Sequence, residues 1–256
     1  MAISHRAKGT LNQGQRLGCP SASLQRLDPL SHLEPMQSLL FPEFSPDNLE
    51  QAALSEWTDG WLASFPALKG EGAMAESSLA LRKLMTPLGP MLAVASKNGL
   101  VLLEFVDKDR IKSQLARATK IHGGPLLRCA SAKVRHVEPV RELDHVEDQI
   151  AAYFAGERKA FDLRLDPTGT PFQKSVWTQL LTILYGAQAS YGDIAEAVGR
   201  PSASRAVGAA NGSNPIAIIQ PCHRIIGSDG TLTGYAGGLW RKRRLLELEA
   251  ATHLND

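Results

Sequence analysis

Cysteine is scarce in this 256-residue chain. Only Cys19, Cys129 and Cys222 are present, too few and too widely spaced for a disulfide framework or a C-x-x-C metal knuckle. That points to a reduced setting inside the cell: the cytoplasm or, in a eukaryote, the nucleus. Long apolar runs are missing as well. None approaches the ~18 residues that span a bilayer, so no membrane partner is expected, and the N-terminus has no continuous apolar stretch of a secretory signal. A strong excess of one charge is also absent, with 28 Lys and Arg against 26 Asp and Glu and a net charge of +2. Overall charge therefore names no partner, but its distribution is uneven. Residues 1–80 carry 5 basic and 9 acidic side chains, whereas residues 81–256 carry 23 and 17. The basic excess lies in the later part of the chain.

The length suits one large domain or two small ones. Residues 1–78 read as an extension and linker, mostly irregular, with one helix. Ser45-Pro46-Asp47-Asn48 supplies an N-cap followed by proline at the first helical position, and the helix runs to about Trp57 or Phe65. Residues 66–78, rich in Gly, Ala and Ser, read as linker. From Leu79 the pattern changes. Residues 79–85, 91–96 and 100–106 read as strands, with Asn98-Gly99 as a hairpin turn between the last two. Residues 107–121 and 140–154 repeat apolar side chains at helical spacing, and 161–165 can return as a strand. Strands with helices laid against them make residues 79–166 an α+β domain.

Residues 167–256 read as mostly helical. Thr170-Pro171-Phe172-Gln173 carries a capping box and opens a helix whose stripe, Phe172, Val176, Leu180 and Leu184, is widened by Trp177 and Leu181. Ser190 and Asp193 offer a second capping box. Gly199-Arg200-Pro201 breaks that helix, and Ser202 is placed to cap a third, running to about Asn211. Two short helices joined by a tight turn form a helix-turn-helix candidate. The second is bare: Arg205 is the one long side chain among Ala, Gly, Ser and Val. A helix that reads base edges carries several polar side chains, so this one suits close approach to a nucleic-acid backbone with Arg205 as a probe. Close helix packing explains the same residues equally well.

Downstream, an apolar run ends in Pro221-Cys222-His223-Arg224. Cysteine is nucleophilic as its thiolate, and a neighbouring imidazole can take the proton. A buried structural Cys beside a solvated His is the alternative for an isolated pair. The helix-turn-helix next to it favours nucleophilic chemistry on a nucleic acid.

The segment 170–249 resembles the catalytic domain of the O6-methylguanine-DNA methyltransferases. The matching signatures are Ser190-Tyr191-Gly192, Ser204-Arg205-Ala206-Val207-Gly208, Asn214-Pro215, Ile219-Gln220-Pro221-Cys222-His223-Arg224-Ile225-Ile226, Gly234-Tyr235-Ala236-Gly237-Gly238-Leu239 and the stretch from Lys242 to Glu249. The resemblance implies an α+β fold: a ribonuclease H-like domain at 79–166, then a winged-helix-like catalytic domain with a helix-turn-helix at 167–256. It implies irreversible, single-turnover transfer of an alkyl group from guanine O6 in double-stranded DNA to Cys222, with O4-methylthymine as an alternative substrate. His223 takes the thiol proton through a water, and Glu249 orients the ring. Tyr191 helps rotate the nucleotide out of the stack, and Arg205 fills its place. Asn214 ties the helix-turn-helix to the active-site loop. Pro221 and Arg224 flank the nucleophile, and Tyr235, Ala236 and Gly237 form the loop beside the pocket, with Ala236 standing where some relatives have Ser.

Arg200, Ser202 and Lys242 complete the expected DNA-contacting set, Lys242 within a basic run from Arg241 to Arg244 that is otherwise a solvated helix face. No cofactor and no metal is required, since Cys19 and Cys129 do not supply the structural zinc ligands of some members, and the protein is expected to be a monomer. Two alternatives stay in view. A non-catalytic alkyl-lesion-binding protein is disfavoured by the presence of Cys222. A degenerate adaptive-response transcription regulator is disfavoured by the single Cys in residues 1–78.

Overall fold

The computed structural model describes residues 79–106, 110–123, 126–128 and 138–253, together with Gly60, Leu62 and residues 68–69. The helix expected from Ser45 lies outside the described residues except at Gly60 and Leu62, both helical.

A five-stranded sheet organises the first half: β1 (Leu68–Lys69), β2 (Leu79–Leu84), β3 (Met91–Ser96), β4 (Gly99–Phe105) and β5 (Leu126–Arg128), in the order β1-β5-β2-β3-β4. The β2-β3-β4 meander is antiparallel, while β5 runs parallel to β1 and β2. Helices α1 (Arg110–His122) and α2 (Glu138–Phe154) pack on opposite faces. Alternate side chains of a strand point to opposite faces, so both must be apolar here. Leu79, Leu81, Leu92 and Val94 meet Ile111, Leu115 and Ala118 of α1. Ala80, Leu84, Met91 and Ala93 meet Val140, Leu143, Val146 and Ile150 of α2. This two-sided burial is why β3 and β4 read as continuous apolar runs.

Three sequence expectations change. Leu68–Lys69, assigned to a linker, adds a strand beside β5, and Leu62 is buried in the α1-side core. The short β5 was not predicted. The segment 161–165 makes no strand, only a single bridge from Leu165 to Leu100.

The edge strand β4 is where the two halves of the molecule join. Leu100 exchanges backbone hydrogen bonds with Arg164 and Asp166, and Leu103 does so with Pro215 and Ala217. An open edge is thereby covered, and the second cover is the segment leading to Cys222. At the start of β4, Gly99 has φ +143°, and a Cβ there would sit 2.3 Å from the Arg164 carbonyl oxygen. Gly99→Ala is expected to cost about 2 kcal/mol or more, measured as a lowered urea midpoint.

The second half contains α3 (Pro171–Leu180), β6 (Ala189–Ser190), α4 (Tyr191–Ala197), α5 (Ser204–Gly212), β7 (Ile225–Ile226) and α6 (Leu239–His253). Both capping boxes form, Thr170 with Gln173 and Ser190 with Asp193. Ser202 does not cap α5, whose N-cap is Ala203 with no side-chain hydrogen bond. The α3 stripe also stops early: the helix ends at Leu180, leaving Leu181 and Leu184 exposed. Val176, Trp177, Leu180, Ile194, Val207 and Ala210 form a third core that includes Cys222 and Ile225. The Trp177 indole donates to the Ala210 carbonyl at 2.8 Å, locking α3 to α5. No helix among the described residues is long and apolar enough to cross a membrane.

Candidate active site and nucleic-acid interface

The site is built on a strained loop. Residues 214–225 are all buried, and Ile218 has φ +71°, a conformation a β-branched residue adopts only under constraint. Its neighbours close a tight turn, with the Ile219 N–H donating to the Ala217 carbonyl at 2.8 Å. Pro221, at φ −79° and ψ 60°, is the centre of the next such turn, closed by Cys222 N–H on the Gln220 carbonyl at 2.7 Å. Strain of this kind costs on the order of 1–3 kcal/mol and persists only where the surroundings over-determine it. Here they do. Asn214 donates to the Ile216 and Gln220 carbonyls at 3.2 and 2.8 Å and accepts from the Ile216 N–H at 3.0 Å. Leu103 holds residues 215–217 from the sheet side, and Asn211 donates to the Cys222 carbonyl.

Cys222, His223 and Arg224 then form one 3-10 turn. His223 is fully buried, and its Nε2 lies 2.8 Å from Glu249 Oε1. A carboxylate accepts, so Nε2 carries the proton and Nδ1 is the basic nitrogen. Nδ1 has no protein partner. Glu249, on α6, also accepts from Arg224 through Nε and Nη2, each at 2.9 Å, from the Tyr153 hydroxyl at 2.8 Å and from the Gly186 N–H at 3.2 Å. Burial alone pushes its carboxyl pKa up, but the His223 ring and Arg224 outweigh this and hold it at about 2. Arg224 itself is fixed by the Ile183 carbonyl at 2.6 Å. Burial lowers the His223 pKa below the ordinary imidazole value against the pull of Glu249, so the ring is neutral near pH 7 and able to accept a proton.

The sulfur is not a ready thiolate. Cys222 is 5% exposed, and burial pushes its pKa up to about 11, opposed by a hydrogen bond from the Asn214 side chain and by the charges of Arg110 and Lys242. The resting group is a thiol, kept from indiscriminate alkylation and dependent on a base. Tyr235 faces it, and its buried hydroxyl is raised well above the usual phenol range by burial first and then by the Cys222 charge. Gly237 accepts from Arg241 at 2.9 Å, anchoring the loop that carries Ala236.

The outer face of the site is basic and bare. On α5, Val207, Ala210 and Asn211 turn inward, whereas Arg205, Ala206, Ala209 and Gly212 are exposed. Close helix packing accounts for the inner side only. The small residues outside form an open strip from which Arg205 projects. Tyr191 rests 3.7 Å from a Cβ position at Gly208, three residues from Arg205 on the same helix side, and its hydroxyl donates to the Thr233 carbonyl over 3.4 Å. Arg200 and Ser202 are exposed in the turn before α5, Arg200 lying 5.3 Å above the Phe172 ring.

Lys242 does not belong to this face. It is fully buried, and its ammonium donates to the Ile225 and Thr233 carbonyls, so it cannot reach a phosphate. Burial lowers its pKa to about 8. Arg241 is also buried, donating to the Leu88 carbonyl and stacked on Phe105 at 4.2 Å. Of the basic run, Arg243 is exposed and Arg244 pairs with Glu247.

Known proteins are similar to this chain in sequence and fold. Residues 79–167 match the profile described as 6-O-methylguanine DNA methyltransferase, ribonuclease-like domain, and residues 171–251 match the DNA binding domain of the same family. The chain belongs to the 6-O-methylguanine DNA methyltransferase family. The methylated-DNA–protein-cysteine methyltransferase of Methanosarcina acetivorans is 45% identical over 166 residues, 65% of this chain and 95% of the relative. That of Mycobacterium tuberculosis is 65% identical over 102 residues, 40% of this chain but only 62% of the relative's length. The crystal structure of Mycobacterium tuberculosis O6-methylguanine methyltransferase superposes with a TM-score of 0.57 at 42% identity, covering 70% of this chain and 99% of that one. A crystal structure of the mycobacterial protein in complex with DNA covers 68% of this chain and 94% of that one, with a TM-score of 0.56 at 42% identity.

Within this family member the fold brings Cys222, His223, Arg224, Glu249, Asn214 and Tyr235 into one buried cluster, sets Tyr191 at its edge and leaves Arg205, Arg200 and Ser202 outside. Sequence reasoning missed Tyr153, Gly186, Asn211, Glu104 and Arg110. Tyr153 read as core because it lies on the apolar stripe of α2. Glu104 and Arg110 carried no signal, since each meets the site only through tertiary contacts.

Proposed function

We propose that this protein repairs DNA by moving an alkyl group from guanine O6 in a duplex to the Cys222 sulfur, once per molecule. The observation that supports this most strongly is a buried thiol in the same turn as a neutral imidazole whose far nitrogen is fixed by a fivefold-bonded carboxylate. A protein that only bound lesions would have no use for that relay.

The target atom is inaccessible in a stacked duplex, so the nucleotide must leave it. Arg205 enters the vacated space from the exposed side of α5, and Tyr191 crowds the rotating nucleotide. Successive residues of a 3-10 turn project about 120° apart, so His223 Nδ1 takes the Cys222 proton through a bridging water. The sulfur lone pair then forms the C–S bond as the O6–carbon bond breaks, and the electron pair leaves with guanine. Tyr191, whose present hydrogen bond is long, is free to donate to the developing purine anion. Glu249 keeps the ring oriented. Because Arg224 already balances its charge, its contribution is tautomer and position more than net attraction. Both electrons of the new bond come from sulfur, so the step needs no redox carrier. One copy of the chain holds every group used, and the protein acts as a monomer in the cytoplasm or nucleus, where DNA lies.

Intact-mass measurement after mixing with O6-methylguanine duplex tests this: one added CH₂ per molecule, mapped to Cys222, with proportionate loss of activity. An unchanged mass beside tight binding would convert the protein to a lesion binder. Arg205→Ala is expected to slow duplex repair roughly 10- to 100-fold, the scale of an unassisted base extrusion. Its reaction with a free O6-substituted guanine should stay near wild type, and equal losses on both would remove Arg205 from extrusion.

A further inference from the structure

One half-buried ion pair in the sheet domain reaches into the site. Glu104, on the edge strand β4, is fully buried, and its carboxylate pairs with Arg110 at the start of α1. The Arg110 fork continues past it, donating to the Gly212 carbonyl and, at 3.1 Å, to the Asn214 carbonyl. The Gly212 carbonyl is the last of α5, which no helical partner satisfies and which favours a cation, and the Asn214 carbonyl lies just beyond it. Arg110 therefore binds at once the sheet, the end of the helix that presents Arg205 and the residue whose side chain holds the nucleophile loop.

We propose that Arg110, held in place by Glu104, is a positioning residue for the alkyl transfer: by pinning the end of α5 and the Asn214 backbone to β4 it sets where Asn214 holds the Cys222 sulfur. This rests on the alkyl-transfer reading above. The geometry suits arginine specifically, because three acceptors are bridged by one planar fork that an ammonium cannot reproduce. The pair is poor evidence of added stability, since burying the Glu104 carboxylate offsets much of its attraction to the half-buried Arg110, so a positional role accounts better for its presence. The pair also bears on the sulfur electrostatically. The charged and titratable groups facing Cys222 are Glu104 from β4, Arg110 from α1 and Lys242 from α6, with the Tyr235 phenol beside them. Glu104 disfavours the thiolate, whereas Arg110 and Lys242 favour it.

Three variants of the full chain test the assignment. Arg110→Met should slow transfer at saturating O6-methylguanine duplex by about 10-fold or more while duplex affinity stays within about twofold, as expected of lost positioning. Arg110→Lys, keeping the charge without the fork, should recover part of that loss. Glu104→Gln keeps the shape and an acceptor for Arg110 but removes the negative charge. Its Cys222 should react with a small neutral alkylating agent near neutral pH about threefold faster than wild type, more thiolate outweighing its reduced nucleophilicity. Unchanged thiol reactivity in Glu104→Gln removes the electrostatic part of the assignment, and wild-type transfer by Arg110→Met overturns the proposal. A wild-type thiol that reacts with the small reagent yet takes nothing from alkylated DNA overturns the proposed function instead.

Discussion

Cys222→Ala is expected to abolish alkyl transfer while leaving duplex binding intact, the largest functional effect of any single substitution here. Once deprotonated, the sulfur is the strongest nucleophile of the buried cluster and supplies the electron pair to carbon in the proposed transfer. The residues proposed to face DNA, Arg205, Arg200 and Ser202, are exposed, away from the buried sulfur. The loop survives the change because its anchors are backbone atoms: Asn211 holds the Cys222 carbonyl and Asn214 holds those of Ile216 and Gln220. Truncating one buried sulfur should cost about 1 kcal/mol. The variant should also lose an alkaline liability. Cys222 has a folded pKa of about 11 against an ordinary 9.0. Its contribution to stability is therefore complete below pH 9 and is lost as the pH rises through 11. Intact mass and band-shift titration check the first claim, and urea midpoints at pH 8 and above check the second. Methyl uptake by the alanine variant would show that another side chain is the nucleophile and would undo the assignment.

The second large effect is expected at Glu249. Glu249→Gln should reduce transfer by about 100-fold or more, the usual worth of a correctly oriented base, and should lower stability by about 3 kcal/mol. Five donors converge on the carboxylate, and an amide turns one of its two acceptor atoms into a donor. At least one donor is left facing another, and the buried Arg224 guanidinium loses its counter-charge. The pH dependence follows. Glu249 is depressed from 4.5 to about 2, so its stabilisation is full above pH 4.5 and is lost as pH falls toward 2, a loss of roughly 3 kcal/mol. His223, held below 6.5 by burial, acts in the same sense, with stability declining as the pH drops below 6.5. Wild type should thus weaken on acidification, and Glu249→Gln should start weaker and have a shallower acid limb. An identical acid limb in the two proteins would show that Glu249 is not the group responsible.

How much of this was legible beforehand depends on how local each cause was. The capping boxes at Thr170 and Ser190 formed as read, because a cap involves a side chain and a backbone N–H only three residues apart. The hairpin at Asn98-Gly99 and the helices α1 and α2 followed from turn chemistry and apolar period for the same reason. The α3 stripe misled, since period alone cannot say that the helix stops at Leu180 and leaves Leu184 in water. Lys242 misled more. Within a basic run it reads as a phosphate contact, and only the folded chain shows its ammonium enclosed between the Ile225 and Thr233 carbonyls.

The order of residues alone was enough to mark Cys222 and His223 as neighbours, Glu249 as a candidate orienter through the family signature, and α5 as a helix with one long arm. Chemistry that depends on bonded or near-bonded neighbours is written in that order. The protonation state of the sulfur, the fivefold grip on Glu249, the inward turn of Lys242 and the reach of Arg110 across to Asn214 were decided only in three dimensions. Each depends on burial and on partners up to 104 residues away, and desolvation, the largest influence on the Cys222, Glu249 and Lys242 charges, does not exist until the chain has closed around them.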